Sequence, residues 1–376
     1  MIWLAIPALA AAAYYLLALI AAANRSRDRS GQSHDRVGVI SALTTPPISI
    51  LKPIHGRDPH LYDALLSHAI QSYPTFEILF GLSDPNDPAI EDIRRLQSAY
   101  PAIPISLHVV RTAAANAKAG VLAELARHAR HPVLLVNDSD IKVPPNYLRD
   151  VAAPLADPHT GLVTCLYRAA ADSWPSRAEA LGIATEFAPS VLVARLLGVA
   201  EFALGSTMAF RASTLQQIGG FETIATYLAD DYQLGRHISQ LGYRIRFASP
   251  VVETNLGAGT WTQVWRHQLR WSRTIRVSRP SGYYGYAVTH ATLWALVALA
   301  AGAWRAAAAA LALRMIAGMW IGAVVLQDRN TLRYFWMIPL RDLFGFAVWL
   351  AGLFGDSVVW RGQTLRLRPD GRIAPR

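Results

Sequence analysis

From Ile2 to Ala23 the chain carries no charged side chain. At 1.5 Å per residue such a helix is about long enough to cross a hydrocarbon core of roughly 30 Å, and no other segment limits the fold as strongly. A cleaved signal peptide is the competing reading. Against it, no basic region precedes the run, and the run is longer than the roughly 7–15 apolar residues of a signal core. Arg25, Arg27 and Arg29 follow directly, so the positive-inside rule predicts a cytoplasmic location for what comes next. A second apolar block, Tyr286 to Leu326, is broken at Trp304-Arg305 and predicts a hairpin of two helices. Its Arg314 must snorkel, pair inside a bundle or mark a shallow helix. A third block, Leu343 to Trp360, contains Asp356 and leaves spanning, re-entrant and interfacial courses open. The tail beyond it (Arg361, Arg366, Arg368, Arg372, Arg376) favours the cytoplasmic side.

Composition agrees with a chain that partly faces lipid: 52% of the 376 residues are apolar and only 16% are charged. The formal charge of +10 does not point to nucleic acid. Three residues are Lys, and the Arg residues are scattered, many beside apolar segments, as attraction to anionic headgroups requires. Cys165 is the single cysteine, which excludes an intramolecular disulfide and a multi-cysteine metal site and fits a reducing compartment.

Residues 24–47, bearing Arg, Ser and Gly without an apolar period, read as a linker. After them ISILKP (48–53), FEILFGLSD, ISLHVV, VLLVND and GLVTCLY (161–167) predict strands. PHLYDALLSHAIQSYP, PAIEDIRRLQSAY and NAKAGVLAELARHAR, between the first four, predict helices. This rhythm implies an α/β fold with a mostly parallel sheet covered on both faces, in which ligands collect beyond the carboxyl ends of the strands. Asp84 ends one such strand, and Asp138 and Asp140 end another. Carboxylates suit a crevice only where a cation or a hydroxyl-rich ligand will meet them.

A D-x-D at a strand end can present carboxylates to Mg²⁺, which takes one or two of them and completes its shell with phosphate oxygens and water. The plainer alternative is that Asp138 or Asp140 caps a turn. LADDYQLGRHISQLG sets Asp230 and Asp231 in the first turn of an amphipathic helix. There they can serve the helix dipole, or one of them can act as a general base toward a hydroxyl. TWTQVWRHQLRWSRTIRVSR (260–279) has charges nearly all round a predicted helix. It suits phosphate binding by Arg and sugar stacking by Trp, or an interfacial anchor.

Taken together, LKPIHGRDP, SYPTFEILFGLSDPNDPAI, VNDSDIKVP, GLVTCLYR, LADDYQLG and HQLRW resemble the membrane-bound ceramide glucosyltransferase-like family. Its members are inverting glycosyltransferases of GT-A fold, a Rossmann-like, mostly parallel sheet with helices on both faces, here flanked by transmembrane helices. The resemblance runs from about Ile48 to Arg279. It implies nucleotide-sugar contacts near Asp84, Asp87, Asn116, Lys118 and Asp138, with Lys118 alternatively a solvated helix residue. It further implies a metal role, Mg²⁺ or Mn²⁺, for Asp138 with Asp140, and a catalytic base at Asp231. The family's (Q/R)-x-x-R-W signature falls on His267, Gln268, Leu269, Arg270 and Trp271. His267 departs from the pattern, leaving Arg270 and Trp271 as the safer diphosphate and acceptor residues beside His267 and Gln268.

The wording EFALGSTMAF, YLADDYQLGRHISQLG and WRHQLRWSRTIRVSRP is most similar to bacterial hopanoid-biosynthesis-associated glycosyltransferases. This implies transfer of N-acetylglucosamine from UDP-N-acetylglucosamine to a bacteriohopanetetrol-type lipid. A UDP-glucose-dependent ceramide glucosyltransferase and a processive polysaccharide synthase are the alternatives. The expected layout is a membrane helix at 1–23, the linker at 24–47, a cytoplasmic catalytic domain at 48–279, membrane segments at 280–360 and a basic tail at 361–376. The expected partners are a UDP-sugar, a lipid acceptor and the bacterial inner membrane, with no nucleic acid.

Overall fold

The computed structural model describes the backbone of residues 2–38 and 45–374 and the side chains of 3–27 and 45–374. The chain forms two compact units. One comprises Val39–Tyr167, Ala200–Gly257 and Pro375–Arg376, and the other Met1–Gly38, Arg168–Val199 and Ala258–Ala374. Residues 168–199 and 258–279, expected inside the 48–279 domain, thus group with the apolar helices. The reason is visible in their packing: Ala178 and Leu181 of the first stretch share one apolar cluster with Tyr334, Met337 and Ile338.

The first unit is built on seven strands: β1 Ile48–Pro53, β2 Phe76–Leu82, β3 Ile105–Val109, β4 Val133–Val136, β5 Thr160–Ala170, β6 Met208–Arg211 and β7 Arg244–Asn255. Their order is β3-β2-β1-β4-β6-β5-β7. β1 runs parallel to β2 and β4, and β2 parallel to β3. β6 enters antiparallel between β4 and β5. Every residue of β1 and β4 is buried, as central strands covered on both faces must be. Alternate side chains feed two cores. Ile50, Phe80, Leu135 and Ala209 line one with Leu61 and Leu65, while Leu51, Leu79, Leu134 and Phe210 line the other with Leu122 and Leu234. β6 was not foreseen from the sequence, since MAFR is too short to carry a period.

Among the described residues of the second unit, three helices are long and apolar enough to cross a membrane: Trp3–Arg27, Trp304–Val325 and Phe335–Gly352. The first belongs to a helix that runs on to Gly38, so residues 24–38 are helical where a linker was expected, and 39–44 lie outside the described residues. Nothing in that stretch breaks a helix, as it contains no Pro. Its apolar part is packed: the Tyr15 hydroxyl donates to Thr289 O at 2.8 Å, and Ala8 and Ala12 meet Ala295, Ala298, Ala307 and Ala310. Small residues allow such close helix approach. The predicted hairpin is only half a pair of spans, because Ala291–Ala300 is ten residues and reaches only about 15 Å. The third block is helical from Ile338 to Gly352 and then turns into a hairpin of Ser357–Trp360 with Gln363–Arg366. The first part of the expected tail, 361–366, is therefore hairpin, held by Arg366 Nε on Asp356 Oδ2 at 2.5 Å.

Arg314 resolves by pairing. It is 0% exposed, and it donates from Nη2 to Asp342 Oδ1 at 2.6 Å and from Nε to both carboxylate oxygens at 3.0 and 3.1 Å. Thr185 accepts from Nη2 at 3.3 Å, and Thr292 donates to Asp342 Oδ2 at 2.7 Å. Gly318 leaves the room, since a Cβ there would lie 2.8 Å from Arg314 Nη1. Removing one partner strands a buried charge, so Asp342→Asn should lower stability by about 3–5 kcal/mol, whereas replacing both (R314M with D342L) should recover most of it. Thermal unfolding in detergent reads this directly. An unchanged midpoint in D342N would show that the guanidinium does not depend on Asp342.

Candidate active site

The sheet registers Val136 of β4 against Met208 of β6, so the residues leaving β4 run beside those entering β6. This antiparallel pairing brings Asn137-Asp138 next to Gly205-Ser206-Thr207. Asn137 locks the two loops: its Nδ2 donates to Ser206 O at 2.6 Å and to the Tyr147 hydroxyl at 2.9 Å. Its Oδ1 lies 3.2 Å from His68 Nε2. Burial and the charge of Lys52 push His68 down to about 3, so this ring is neutral. Lys52, at the end of β1, is fully buried and donates to Asp138 O at 3.1 Å. Burial pulls it down to about 7 against the opposing pull of Asp140, Asp138 and Asp58.

Asn116 caps the helix Ala117–His128, accepting from Ala119 N at 3.1 Å, and donates from Nδ2 to Tyr227 O at 2.8 Å. That bond draws the segment before Asp230 toward Lys118. Lys118 is 7% exposed, not a solvated helix residue. Its ammonium lies 2.8 Å from Asp138 Oδ1 and 3.0 Å from Asp230 Oδ2. Burial disfavours its charge, but Asp138, Asp230 and Asp231 outweigh that and raise its pKa.

Asp231 opens the helix Asp230–Gln240 together with Asp230. Its Oδ2 accepts from Gly205 N at 2.9 Å, and its Oδ1 from Tyr232 N at 2.7 Å. Burial and then the neighbouring charge of Asp230 push it up to about 6, while Lys118 holds it down. Gly205 is the hinge of the arrangement. A Cβ at this position would lie 3.1 Å from Asp138 Oδ2 and 3.3 Å from Asp231 Oδ2, so both carboxylates face the same bare stretch of backbone. Asp138 is 43% exposed at its side chain and can meet a ligand.

The other predicted acids stand further back. Asp140 accepts the Thr254 hydroxyl, and burial with the charge of Asp138 pushes it up to about 6. Asp87 is buried, with Oδ2 accepting from Gly56 N at 2.7 Å and Oδ1 from Ala89 N at 2.9 Å. It therefore braces the loop after β1 against the start of the next helix. Asp84 accepts from Asn86 N at 2.8 Å in the turn after β2. Among the described residues no three His, Cys, Asp or Glu side chains are grouped to hold a metal by themselves. The donor set suits an ion that takes one carboxylate from Asp138 and other oxygens from a diphosphate, as Mg²⁺ commonly does.

His267, Gln268, Arg270 and Trp271 lie in the second unit, on the helix Trp261–Ser278. That helix opens with a capping box of Thr260 and Gln263. His267 Nδ1 is 2.6 Å from Glu179 Oε1, and Gln268 Nε2 donates to the same oxygen at 2.8 Å. Burial pushes Glu179 up, but these bonds outweigh it and hold the carboxyl below its ordinary value. Arg341 Nη2 donates to Gln268 Oε1 at 2.9 Å. The Trp271 ring is 4.8 Å from that of His267 and 6.0 Å from that of Phe187. His267 thus takes a structural partner, and Glu179, which no motif flagged, holds the first two residues of the signature. Gly205 and Lys52 were also missed, although Gly205 stands in the legible GST turn before β6.

The fold resembles that of the mannosyltransferase PcManGT from Pyrobaculum calidifontis, solved with GDP-Man and Mn²⁺. The TM-score is 0.52 at 19% identity, over 93% of this chain and 99% of that one. Ceramide glucosyltransferase 1 of Caenorhabditis elegans is 28% identical over 231 residues, 61% of this chain and 49% of that protein. The ceramide glucosyltransferase of Candida albicans is 32% identical over 116 residues, 27% of this chain and 21% of its own. The chain spans about half the length or less of these curated relatives. A single family description, glycosyl transferase family 21, matches residues 3–373 from the first apolar helix to the C-terminal hairpin, and the chain belongs to that family.

Proposed function

We propose that this protein transfers one sugar from a UDP-sugar to a hydroxyl of a membrane lipid, with inversion at the anomeric carbon. The observation that carries the reading is the convergence of Asp138 and Asp231 on Gly205 beside the Lys118 ammonium. Asp231, raised to about 6, is ionised at neutral pH yet basic enough to take the proton of an attacking hydroxyl. Lys118 keeps the neighbouring carboxylates from repelling one another and fixes Asp138 for the donor diphosphate. Asp138 would hold a divalent ion, which supplies positive charge to a departing diphosphate when bound, and the Mn²⁺ of the Pyrobaculum enzyme supports that choice. Asp140, held by the Thr254 hydroxyl, adds a second negative charge near that ion, and Asp84, Asp87 and Asn116 are assigned to the nucleotide side by their motifs. Arg270 and Trp271 are assigned to diphosphate and acceptor by their motif. The apolar helices keep enzyme and insoluble acceptor in one plane, raising their effective concentration. Arg25 and Arg27, at the end of the first span, support a cytoplasmic face of an inner membrane for the catalytic unit.

For the substrates, the wording around Gly205, Asp231 and Arg270 favours UDP-N-acetylglucosamine and a polyhydroxylated hopanoid. The second reading, UDP-glucose and ceramide, is favoured by the names of the curated relatives. Comparing lipid extracts of cells with and without the protein by mass spectrometry separates them. Loss of a hexosamine-bearing triterpenoid is expected, and loss of a hexosyl sphingolipid would decide for the second reading.

Asp231→Asn should reduce turnover by about 10²–10⁴-fold while UDP-sugar binding, read by calorimetry, persists. In the unaltered protein activity should fall as pH drops through about 6, because protonated Asp231 cannot accept a proton. Lys118→Met removes the charge that holds Asp231 down, so the residual activity should lose its acid limb at higher pH. A limb that stays in place would exclude Asp231 as its source. Gly205→Ala crowds both carboxylates by a few tenths of an ångström and should cut kcat by about ten- to a hundredfold with little change in thermal midpoint. Wild-type turnover in this variant would mean the two groups do not act at that spot.

A further inference from the structure

Between the candidate spans Trp304–Val325 and Phe335–Gly352 the chain makes a short polar connection, and a pocket of about 110 Å³ lies there. Its polar lining is Arg177, Asp328, Asn330, Thr331, Arg333 and Tyr334. The transfer chemistry uses none of these residues. The guanidinium of Arg177 stands 5.8 Å from the centre of the Tyr334 ring and 5.4 Å from that of Trp174, and Arg333 stands 5.4 Å from Tyr334. Among the described residues neither arginine is paired with a carboxylate. The single acid of the lining is already engaged: Asp328 accepts from Asn330 N at 3.0 Å and from the Thr331 hydroxyl at 3.0 Å. Two cations therefore stand against the Tyr334 ring without a direct carboxylate partner, and with Asp328 also in the lining they leave the pocket one positive charge in excess. A guanidinium resting on a ring keeps its N–H edge available, and that edge matches phosphate oxygens.

The surroundings say which phosphate. Trp174, Leu332, Phe335 and Trp336 are exposed, at 52, 54, 42 and 54%. Trp at the ends of membrane helices sits at the headgroup level of a bilayer, and exposed Leu and Phe beside it face the acyl chains. We infer that this pocket binds the phosphate of an anionic membrane lipid, with Arg177 and Arg333 donating to it and the acyl chains lying along Leu332, Phe335 and Trp336. The pocket accommodates a headgroup phosphate and leaves the rest of the lipid outside. Such a lipid would tie the helix Trp174–Gly182 to the junction of the two spans, a contact independent of the sugar-transfer site.

The test uses the full chain purified in a neutral detergent. Thermal midpoint and native mass spectrometry are read with phosphatidylglycerol, with phosphatidylcholine and with inorganic phosphate. Retention of phosphatidylglycerol with a raised midpoint is expected, and Arg177→Gln and Arg333→Gln should each lower the retained fraction about tenfold, the worth of one charge-assisted hydrogen bond. Arg329→Gln, on the same connection but outside the lining, should leave it unchanged. Should Arg177→Gln not fold, the exposed Arg333 carries the comparison. Equal loss in Arg329→Gln would reduce the effect to diffuse surface charge. Equal retention of phosphatidylcholine would remove the anionic preference. A midpoint shift from inorganic phosphate alone, matching that of the lipid, would assign the pocket to a free anion. Any of these three results overturns the inference.

Discussion

The sheet-bearing unit depends on one ammonium group held between carboxylates. Asp138, Asp230 and Asp231 come from two different segments of chain, and three such groups in a partly buried crevice repel each other strongly unless a cation is present. Lys118 supplies it, bonded to two of them and raised in pKa by all three. With it in place the crevice still carries an excess of negative charge, which is a stable condition only if a further cation or proton can be taken up. The elevated Asp231 is the part of that excess able to accept a proton, and the exposed side of Asp138 is the part able to meet an ion.

Sheet topology is what makes this clustering possible. In a wholly parallel sheet the carboxyl end of β4 would be flanked only by other carboxyl ends and their loops. Here β6 runs the other way, so the amino end of one strand lies beside the carboxyl end of its neighbour. The approach to β6 can therefore be a glycine backbone whose N–H points at Asp231, and no side chain intrudes between the two acids. Asn137, satisfied by Tyr147, His68 and the Ser206 carbonyl, keeps the two loops from sliding past each other. A buried, fully bonded amide of this kind fixes register more strictly than apolar packing does.

The sequence made the strand-helix rhythm of 48–136 legible because β1 and β2 are mostly apolar, β4 is an unbroken apolar run and the helices between them are amphipathic. The same logic placed Asp84 and Asp138 at strand ends and Asp231 in a first helical turn. What it left open depends on distant pairing. β6 is four residues long and acquires its identity only from β4 and β5 on either side. Lys118 looks like any helix lysine until the loop held by Asn116 closes over it. His267 breaks a signature, yet Glu179, some ninety positions away, gives the imidazole and the next glutamine a common acceptor. The stretch 24–38 has the composition of a linker but nothing to stop a helix already started, and it stays helical.

Two buried cations in this chain show how surroundings decide what an ion pair is for. Arg314 meets one carboxylate in a bidentate bond, Thr185 accepts from the guanidinium, Thr292 donates to the carboxylate, and the pair is buried from solvent. With charge balanced and exposure nil, such a pair fixes how the helices sit against each other and has no capacity left for chemistry. Lys118 faces three acids, and one of them is nearly half exposed. Its balance is incomplete by construction, and that incompleteness gives the crevice an affinity for protons and cations that the closed pair among the apolar helices lacks.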